Sequence, residues 1–328
     1  MQYEDKLYLG VDGGGSKTEG VLCSLHFDGR GYPVLNTHRE ASGGPSNWLG
    51  AAEPNKKSAD SLQAVLNDLL NIECADLLSS LSTIVMATAG IGLPGRRETL
   101  MHLLDDIFPA GICCHVIGDV QAAHCTMGIF DGGITVIAGT GSVAVSHQSR
   151  SWTTVGGHGF VLGDEGSGFW IGQKALQAAV CGWEGRGPKT NLTQRAKQYF
   201  DISTLDELPR EIYLSGRGID AQRIAGFAPH VSRATQLGDA VAAHIVKSAG
   251  YHLADHVLAL ARKEGNILRE CLGIHPVGGA WQVSSLLENF LQRLSEEGLA
   301  KPCVSSPLYN AAQGAVIWAG LHESDHFN

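Results

Sequence analysis

The chain has 328 residues, of which 44% are hydrophobic and 17% charged; it carries 42 glycines and a net charge of -9. That length accommodates two domains, each with its own core, and the composition excludes a disordered chain. The acidic balance, with no Lys/Arg run beyond pairs such as Lys56-Lys57 and Arg96-Arg97, argues against a nucleic-acid binder, and no run reaches the roughly 20 apolar residues of a bilayer span.

Residues 7–12 form a short apolar strand ending in Asp12; Gly13-Gly14-Gly15-Ser16-Lys17-Thr18 follows, then a second strand over 20–25 and a third over 34–38. Residues 55–70 carry apolar residues at helical spacing (Ala59, Leu62, Leu66, Leu69). A buried strand is expected at 84–89, a helix at 96–107 and a strand at 112–117, closing on Gly118-Asp119. Cys113 and Cys114 lie in that strand and point to opposite faces, which suits reduced core thiols rather than a bridge. The pattern then restarts: a strand at 134–138, the turn Gly139-Thr140-Gly141-Ser142, and strands at 143–146 and 152–155. Strand, glycine turn, strand, strand thus occurs twice, about 125 residues apart, which reads as a duplicated topology. From 163 to about 268 the chain is mostly helical, best seen over 239–262, where Val241, Ile245, Ala249, Leu253, Val257 and Leu260 form one stripe. A strand at 272–277 and helices near 282–296 and 310–321 complete the chain.

The glycine turns carry the chemistry. In 13–18 successive backbone N–H groups can point inward as an anion nest, Ser16 and Thr18 add hydroxyl donors, and Asp12 at the strand end can hold Mg²⁺ through its water shell. The P-loop pattern fails because Ser16 separates Gly15 from Lys17, and a dinucleotide loop fails because Thr18 stands where its last glycine belongs. A plain hairpin turn is the alternative. Gly139-Thr140-Gly141-Ser142 repeats the same chemistry, so the expectation is two phosphate-grasping hairpins acting on one nucleotide.

These motifs, with Ile117-Gly118-Asp119-Val120-Gln121-Ala122-Ala123, Val277-Gly278-Gly279-Ala280 and the small-residue helix around Ala311-Ala312-Gln313-Gly314-Ala315, resemble the N-acetylglucosamine kinase branch of the BadF/BadG/BcrA/BcrD ATPase family. The resemblance covers nearly the whole length. It implies an α/β fold of two actin-like (ribonuclease H-like) lobes with duplicated βββαβαβα topology and a cleft between them. Residues 1–118 with 310–328 would form one lobe, and 119–309, with a helical insertion at about 164–268, the other. It implies transfer of a phosphoryl group from ATP, with Mg²⁺, to the 6-hydroxyl of N-acetylglucosamine. Asp119 would be the general base and would also touch the sugar. The loop 42–49 would place Asn47 on a sugar hydroxyl, Gly157, His158 and Gly159 would approach the ring, and Asp164 would accept from its hydroxyls. Gly13, Gly14, Gly15, Ser16, Lys17, Thr18, Gly139, Thr140 and Gly141 would bind the phosphates, and Ala225, Gly278 and Gly279 the adenosine side.

Each assignment has a plainer counterpart. Asp119 and Asp164 could cap the helices that follow them, and 42–49 could be an ordinary surface loop. His158 departs from the family pattern, which often has Trp there, and leaves the environment of the 2-substituent open. Glu165 reads as helix-dipole stabilisation. Glucosamine kinase and N-acetylmuramic acid kinase are the related alternatives; the ATPase activator of a 2-hydroxyacyl-CoA dehydratase and a non-catalytic sugar sensor are the different classes. The expected partner is a small sugar, with no nucleic acid and no membrane. Scattered cysteines and a polar residue 1–6 segment point to the cytoplasm, and the likeness admits a homodimer.

Overall fold

A computed structural model describes residues 6–14, 17–46, 56–70, 80–108, 111–128, 133–148, 151–213, 219–265, 273–299 and 302–323. The chain divides into two compact units, Met1–Asp131 with Pro307–Asn328, and Gly132–Ser306. No helix among the described residues is long and apolar enough to cross a membrane.

The first unit holds strands β1 (Leu7–Gly13), β2 (Thr18–Phe27), β3 (Pro33–Gly43), β4 (Leu81–Thr88) and β5 (Cys113–Gly118), and helices α1 (Lys56–Leu69), α2 (Arg96–Ile107) and α3 (Asp119–Cys125). The sheet order is β3-β2-β1-β4-β5. The first three strands form an antiparallel meander, while β4 and β5 run parallel to β1, and parallel neighbours need the helical crossovers that α1 and α2 supply. β1 is the middle strand and is buried on both faces, so Leu7, Leu9 and Val11 pack with Leu62, Val65, Leu66, Ile84, Met86, Leu100 and Leu104. β3 extends beyond the expected 34–38 to Gly43 because it pairs with β2 along its whole length, across one register shift at Leu22/Cys23.

The second unit repeats this plan. Strands β6 (Ile134–Ala138), β7 (Ser142–Gln148) and β8 (Ser151–Gly156) form the meander, and β9 (Gly273–Val277) and β10 (Cys303–Val304) add in parallel beside β6. Its order, β10-β9-β6-β7-β8, is the first sheet's order over again. Between β8 and β9 lie α4 (Gly168–Trp183), α5 (Leu192–Phe200), α6 (Leu208–Tyr213), α7 (Ala221–Ala225), α8 (Ala228–Gln236) and α9 (Ala240–Lys263); α10 (Leu286–Glu296) connects β9 to β10. The expected stripe of α9 is its core face: Ile245, Ala249, Leu253, Val257 and Leu260 are buried. Asp239 caps that helix, its Oδ1 accepting from Val241 and Ala242 N–H at 3.0 Å each, while Oδ2 accepts from Thr190 and Asn191.

Two expectations are corrected. The helix expected near 282–296 starts only at Leu286, and residues Gly279–Gln282 before it form a single 3-10 turn. Gly278 is the reason: its φ of 107° and ψ of 162° suit glycine alone. Cys113 is exposed, its Sγ 3.2 Å from His115 Nε2, and so is no core thiol.

The last helix, α11 (Ala311–Glu323), packs in the first unit against β1, β2, β4 and α3. Small residues allow this. A methyl on Gly10 of β1 would collide with the Ala312 carbonyl, and one on Gly314 with the Ala122 carbonyl of α3. At the far end of α11, Glu323 accepts from Thr83 and Tyr8 hydroxyls and from Lys6.

Candidate active site

In the first unit the polar residues gather where the parallel strands end. Gly13 pairs with Thr88, and Thr88 with Gly118, so the ends of β1, β4 and β5 stand in one row, with Asp12 and Asp119 at either side of it. Carboxyl ends of parallel strands are where α/β sheets take ligands. Thr88 donates from its hydroxyl to the Gly13 carbonyl at 3.1 Å and fixes the end of β1.

Both carboxylates are half-buried and electrostatically strained. Burial, then the charge of Asp119, then Glu19 push the Asp12 carboxyl up from 3.8 to about 7, against the pull of Lys17. Burial likewise raises the Asp119 carboxyl, although N–H groups of Val120 and of Asp119 itself oppose the rise. Asp119 does not cap α3. Gly118 is the cap residue, and its N–H donates to Gln121 Oε1 at 2.9 Å. Asp119 stands in the first helical turn, where its Oδ1 accepts from Val120 N–H at 3.0 Å. Carboxylates at strand ends are of the residue type that can hold a divalent cation, since Mg²⁺ is commonly bound by one or two carboxylates, water and phosphate oxygens.

The β1–β2 turn is a closed hairpin in which Gly14 N–H donates to the Lys17 carbonyl at 2.9 Å. Lys17 is exposed and pairs with Glu19 at 2.7 Å. Thr18 departs from its expected role: its side chain is fully buried, and its hydroxyl, donating to the Gly44 carbonyl at 2.7 Å and 2.7 Å from Ser46 Oγ, braces the following loop rather than a phosphate. Gly13 is needed because a Cβ there would stand 2.9 Å from Ser46 Oγ. Gly15, Ser16 and Asn47 lie outside the described residues. A small cavity beside the β4 end is lined by Ser46, Thr88, Ala89, Ile91, Arg96 and Leu100.

In the second unit the expected residues come together around the β6–β7 turn. The N–H groups of Gly168 and Phe169, at the start of α4, donate to the Gly139 and Thr140 carbonyls at 2.8 and 3.2 Å. These carbonyls face the helix, and Gly139 N–H is taken by the Gly141 carbonyl at 2.9 Å, so an anion would be met by the N–H groups of Thr140 and Gly141. Asp164 packs on the turn: a Cβ on Gly141 would lie 2.9 Å from both its carboxylate oxygens, and Oδ1 accepts from Ser142 N–H at 3.1 Å. Asp164 holds a left-handed φ of 61°, a strain that clusters at functional sites. Burial raises its carboxyl, with Ser142 N–H and His158 pulling it down and Glu165 pushing it up. The cap of α4 is Ser167, which accepts from Trp170 N–H at 3.1 Å, so Asp164 does not serve as one. Gly157 N–H donates to the Ser142 carbonyl, and Gly157 and Gly159 have φ of 73° and 80°. Gly278 sits under the turn, where a Cβ would meet the Ala138 carbonyl at 2.5 Å, whereas Gly279 faces open space. Ala225 packs against Gly168.

Sequence reasoning missed Thr88 and Ser142 as organisers. Their only signal was a hydroxyl at the end or start of an apolar strand beside a glycine turn. It also misread Glu165, which faces His256 of α9 at 3.8 Å instead of serving a helix terminus.

Known proteins share this architecture. The N-acetylmuramic acid/N-acetylglucosamine kinase of Clostridium acetobutylicum is 31% identical over 76% of this chain and 77% of its own length. The N-acetyl-D-glucosamine kinase of Dictyostelium discoideum is 23% identical over 96% and 98%. The crystal structure of a candidate N-acetylglucosamine kinase from Porphyromonas gingivalis superposes with a TM-score of 0.70 at 20% identity, covering 98% and 99% of the two chains, and shows that both share the actin-like α/β fold. Since the family model matches residues 9–319, the chain belongs to the BadF/BadG/BcrA/BcrD ATPase family.

Proposed function

We propose that the protein is an ATP-dependent amino-sugar kinase that transfers the γ-phosphoryl group of ATP to the 6-hydroxyl of N-acetylglucosamine, giving N-acetylglucosamine 6-phosphate and ADP. The observation that carries this reading is Asp119. It is a carboxylate raised by burial, not the cap residue of its own helix and set at a strand end in the same row as Asp12, in a chain 31% identical to a kinase named for these sugars.

In this scheme Asp119 takes the proton of the 6-hydroxyl as that oxygen attacks phosphorus. General-base help of this kind is typically worth ~10²–10⁴ in rate. The raised carboxyl is suited to the task, because a stronger base removes an alcohol proton more readily as long as it is ionised at the working pH. Gly13, Gly14, Gly15, Ser16 and Lys17 of the first unit, and Gly139, Thr140 and Gly141 of the second, bind phosphate oxygens. Ala225, Gly278 and Gly279 bind on the adenosine side. Mg²⁺ would be held by Asp12 through water and, when bound, neutralises phosphate charge. Asn47, Gly157, His158, Gly159 and Asp164 orient the sugar, and Asp164 is pre-set for this by Ser142 and Gly141. The proposed compartment is the cytoplasm, in keeping with the free thiols at Cys23, Cys114 and Cys125.

N-acetylmuramic acid is the second acceptor to consider, since the Clostridium relative is named for both sugars. A coupled ADP-release assay on N-acetylglucosamine, N-acetylmuramic acid, glucosamine, N-acetylmannosamine and glucose tests the assignment. The acetylated glucosamine should give the highest kcat/KM. Faster turnover of the free amine would overturn the substrate, and no turnover of any sugar would overturn the kinase.

A further inference from the structure

Ser142 spends every polar group it has on one loop. Its N–H donates to Asp164 Oδ1 at 3.1 Å, its hydroxyl donates to the Glu165 carbonyl at 2.8 Å, and its carbonyl accepts from Gly157 N–H at 2.9 Å. It is 3% exposed. Both ends of the 157–165 segment therefore hang on a single residue, and that residue directly follows the turn Gly139-Thr140-Gly141.

The segment has a second anchor on α9. A Cβ on Gly156 would stand 3.1 Å from His256 Cε1, and one on Gly166 would stand 2.6 Å from the Ala249 carbonyl and from Leu253 Cγ. Ala249, Leu253 and His256 are spaced four and three residues apart, and so share one face of the helix. The Glu165 carboxylate lies 3.8 Å from His256 Nε2, and the buried His256 Nδ1 has no hydrogen-bond partner among the described residues. Between the anchors Val161 and Leu162 are each 79% exposed. The middle of the loop is thus open to solvent, while its ends are fixed to the turn and to α9.

We propose that Ser142 is a positioning residue that couples nucleotide on the Gly139–Gly141 turn to the geometry of the 157–165 loop, with the close packing of Gly156 and Gly166 on α9 as the loop's second anchor. The inference rests on the nucleotide-binding half of the kinase reading. Hydrogen bonds are directional, so a turn drawn onto phosphate oxygens carries the next residue with it, and that residue holds both loop ends at once. The loop would then be held more firmly in its sugar-binding shape with nucleotide in place.

Hydrogen exchange on the full chain, with and without MgADP and with no sugar present, tests this. Wild type should gain protection both at 139–141 and across 157–165. Ser142→Ala should keep the first and lose about tenfold of the second, the size of one lost hydrogen bond, and Ser142→Thr should restore it. If Ser142→Ala proves insoluble, Ser142→Cys, similar in shape and a weaker donor, replaces it. In steady state Ser142→Ala should raise KM for the sugar about tenfold with KM for ATP within about twofold, a split that general loosening would not produce. Protection confined to the turn in wild type, or retained in the loop of Ser142→Ala, overturns the coupling and leaves the kinase reading intact. No response to MgADP anywhere overturns both.

Discussion

Asp12→Asn should inactivate the protein and stabilise it. The Asp12 carboxyl is carried from 3.8 to about 7 by burial, Asp119 and Glu19, which costs the folded state about 4 kcal/mol once the group is ionised. Relaxation and partial exposure bring the expected gain from neutralising it to about 2 kcal/mol. The sign follows from linkage. An acid whose folded pKa is raised loses stability relative to its protonated form as pH climbs from its unfolded to its folded pKa, so the wild-type disadvantage is absent below 3.8, develops between 3.8 and about 7, and is complete above that. Urea denaturation in EDTA at pH 4 and pH 8 measures it: the stability gap between Asp12→Asn and wild type should be near zero at about pH 4 and about 2 kcal/mol at about pH 8. At the same time turnover with MgATP should fall by at least ~10², since the proposed cation site loses its carboxylate. A variant no more stable than wild type at pH 8 would refute the strain, and one with wild-type turnover would refute the role.

Asp119→Asn should keep the fold by circular dichroism and lose ~10²–10⁴ in kcat, as removal of a general base does; a kcat near wild type ends that assignment. For Asp239, burial acts to raise the carboxyl, but the N–H groups of Ala242, Asn191 and Val241 and the Thr190 hydroxyl outweigh it and hold the group below its ordinary range. Its stabilisation is accordingly present above about pH 4 and fades as pH falls through the lowered pKa. Asp239→Ala should cost about 2–4 kcal/mol at pH 7 and much less near pH 2, read by denaturant titration. Gly10→Ala should cost at least ~2 kcal/mol, because the methyl meets backbone at Ala312 that cannot rotate away; a shift in melting temperature within error would show that α11 can move off the sheet.

The duplicated strand plan could be read from the sequence because it rests on local signals. Apolar runs at 7–12, 84–89 and 134–138 end in glycine turns or small polar residues, and periodicity alone marks the α9 stripe from Ile245 to Leu260. Residues that lie within motifs were equally visible, among them Asp119, Asp164 and Gly139 to Gly141. What stayed hidden depends on contacts between segments distant in sequence. Thr18 looks like a phosphate donor until Gly44 and Ser46 are found against it. Glu165 looks like a helix-end charge until His256, 91 positions later, is brought to it by α9. Ser142 is indistinguishable from any strand-initial serine, since its three partners are 15 to 23 residues away and only the bend of the loop brings them back. The 3-10 turn after Gly278 was missed because a positive φ cannot be inferred from a Gly-Gly pair without knowing what packs beneath it.

The way α11 fills the groove that Gly10 leaves over β1 also orders events during synthesis. Strand β1 is made before the second unit, and the helix that covers it only after that unit. The second unit, continuous from Gly132 to Ser306, has its whole core available earlier. A nascent chain therefore holds its first sheet partly uncovered while the other unit matures, and clipping residues beyond Ser306 should injure the amino-terminal half of the protein and spare the half next to the cut.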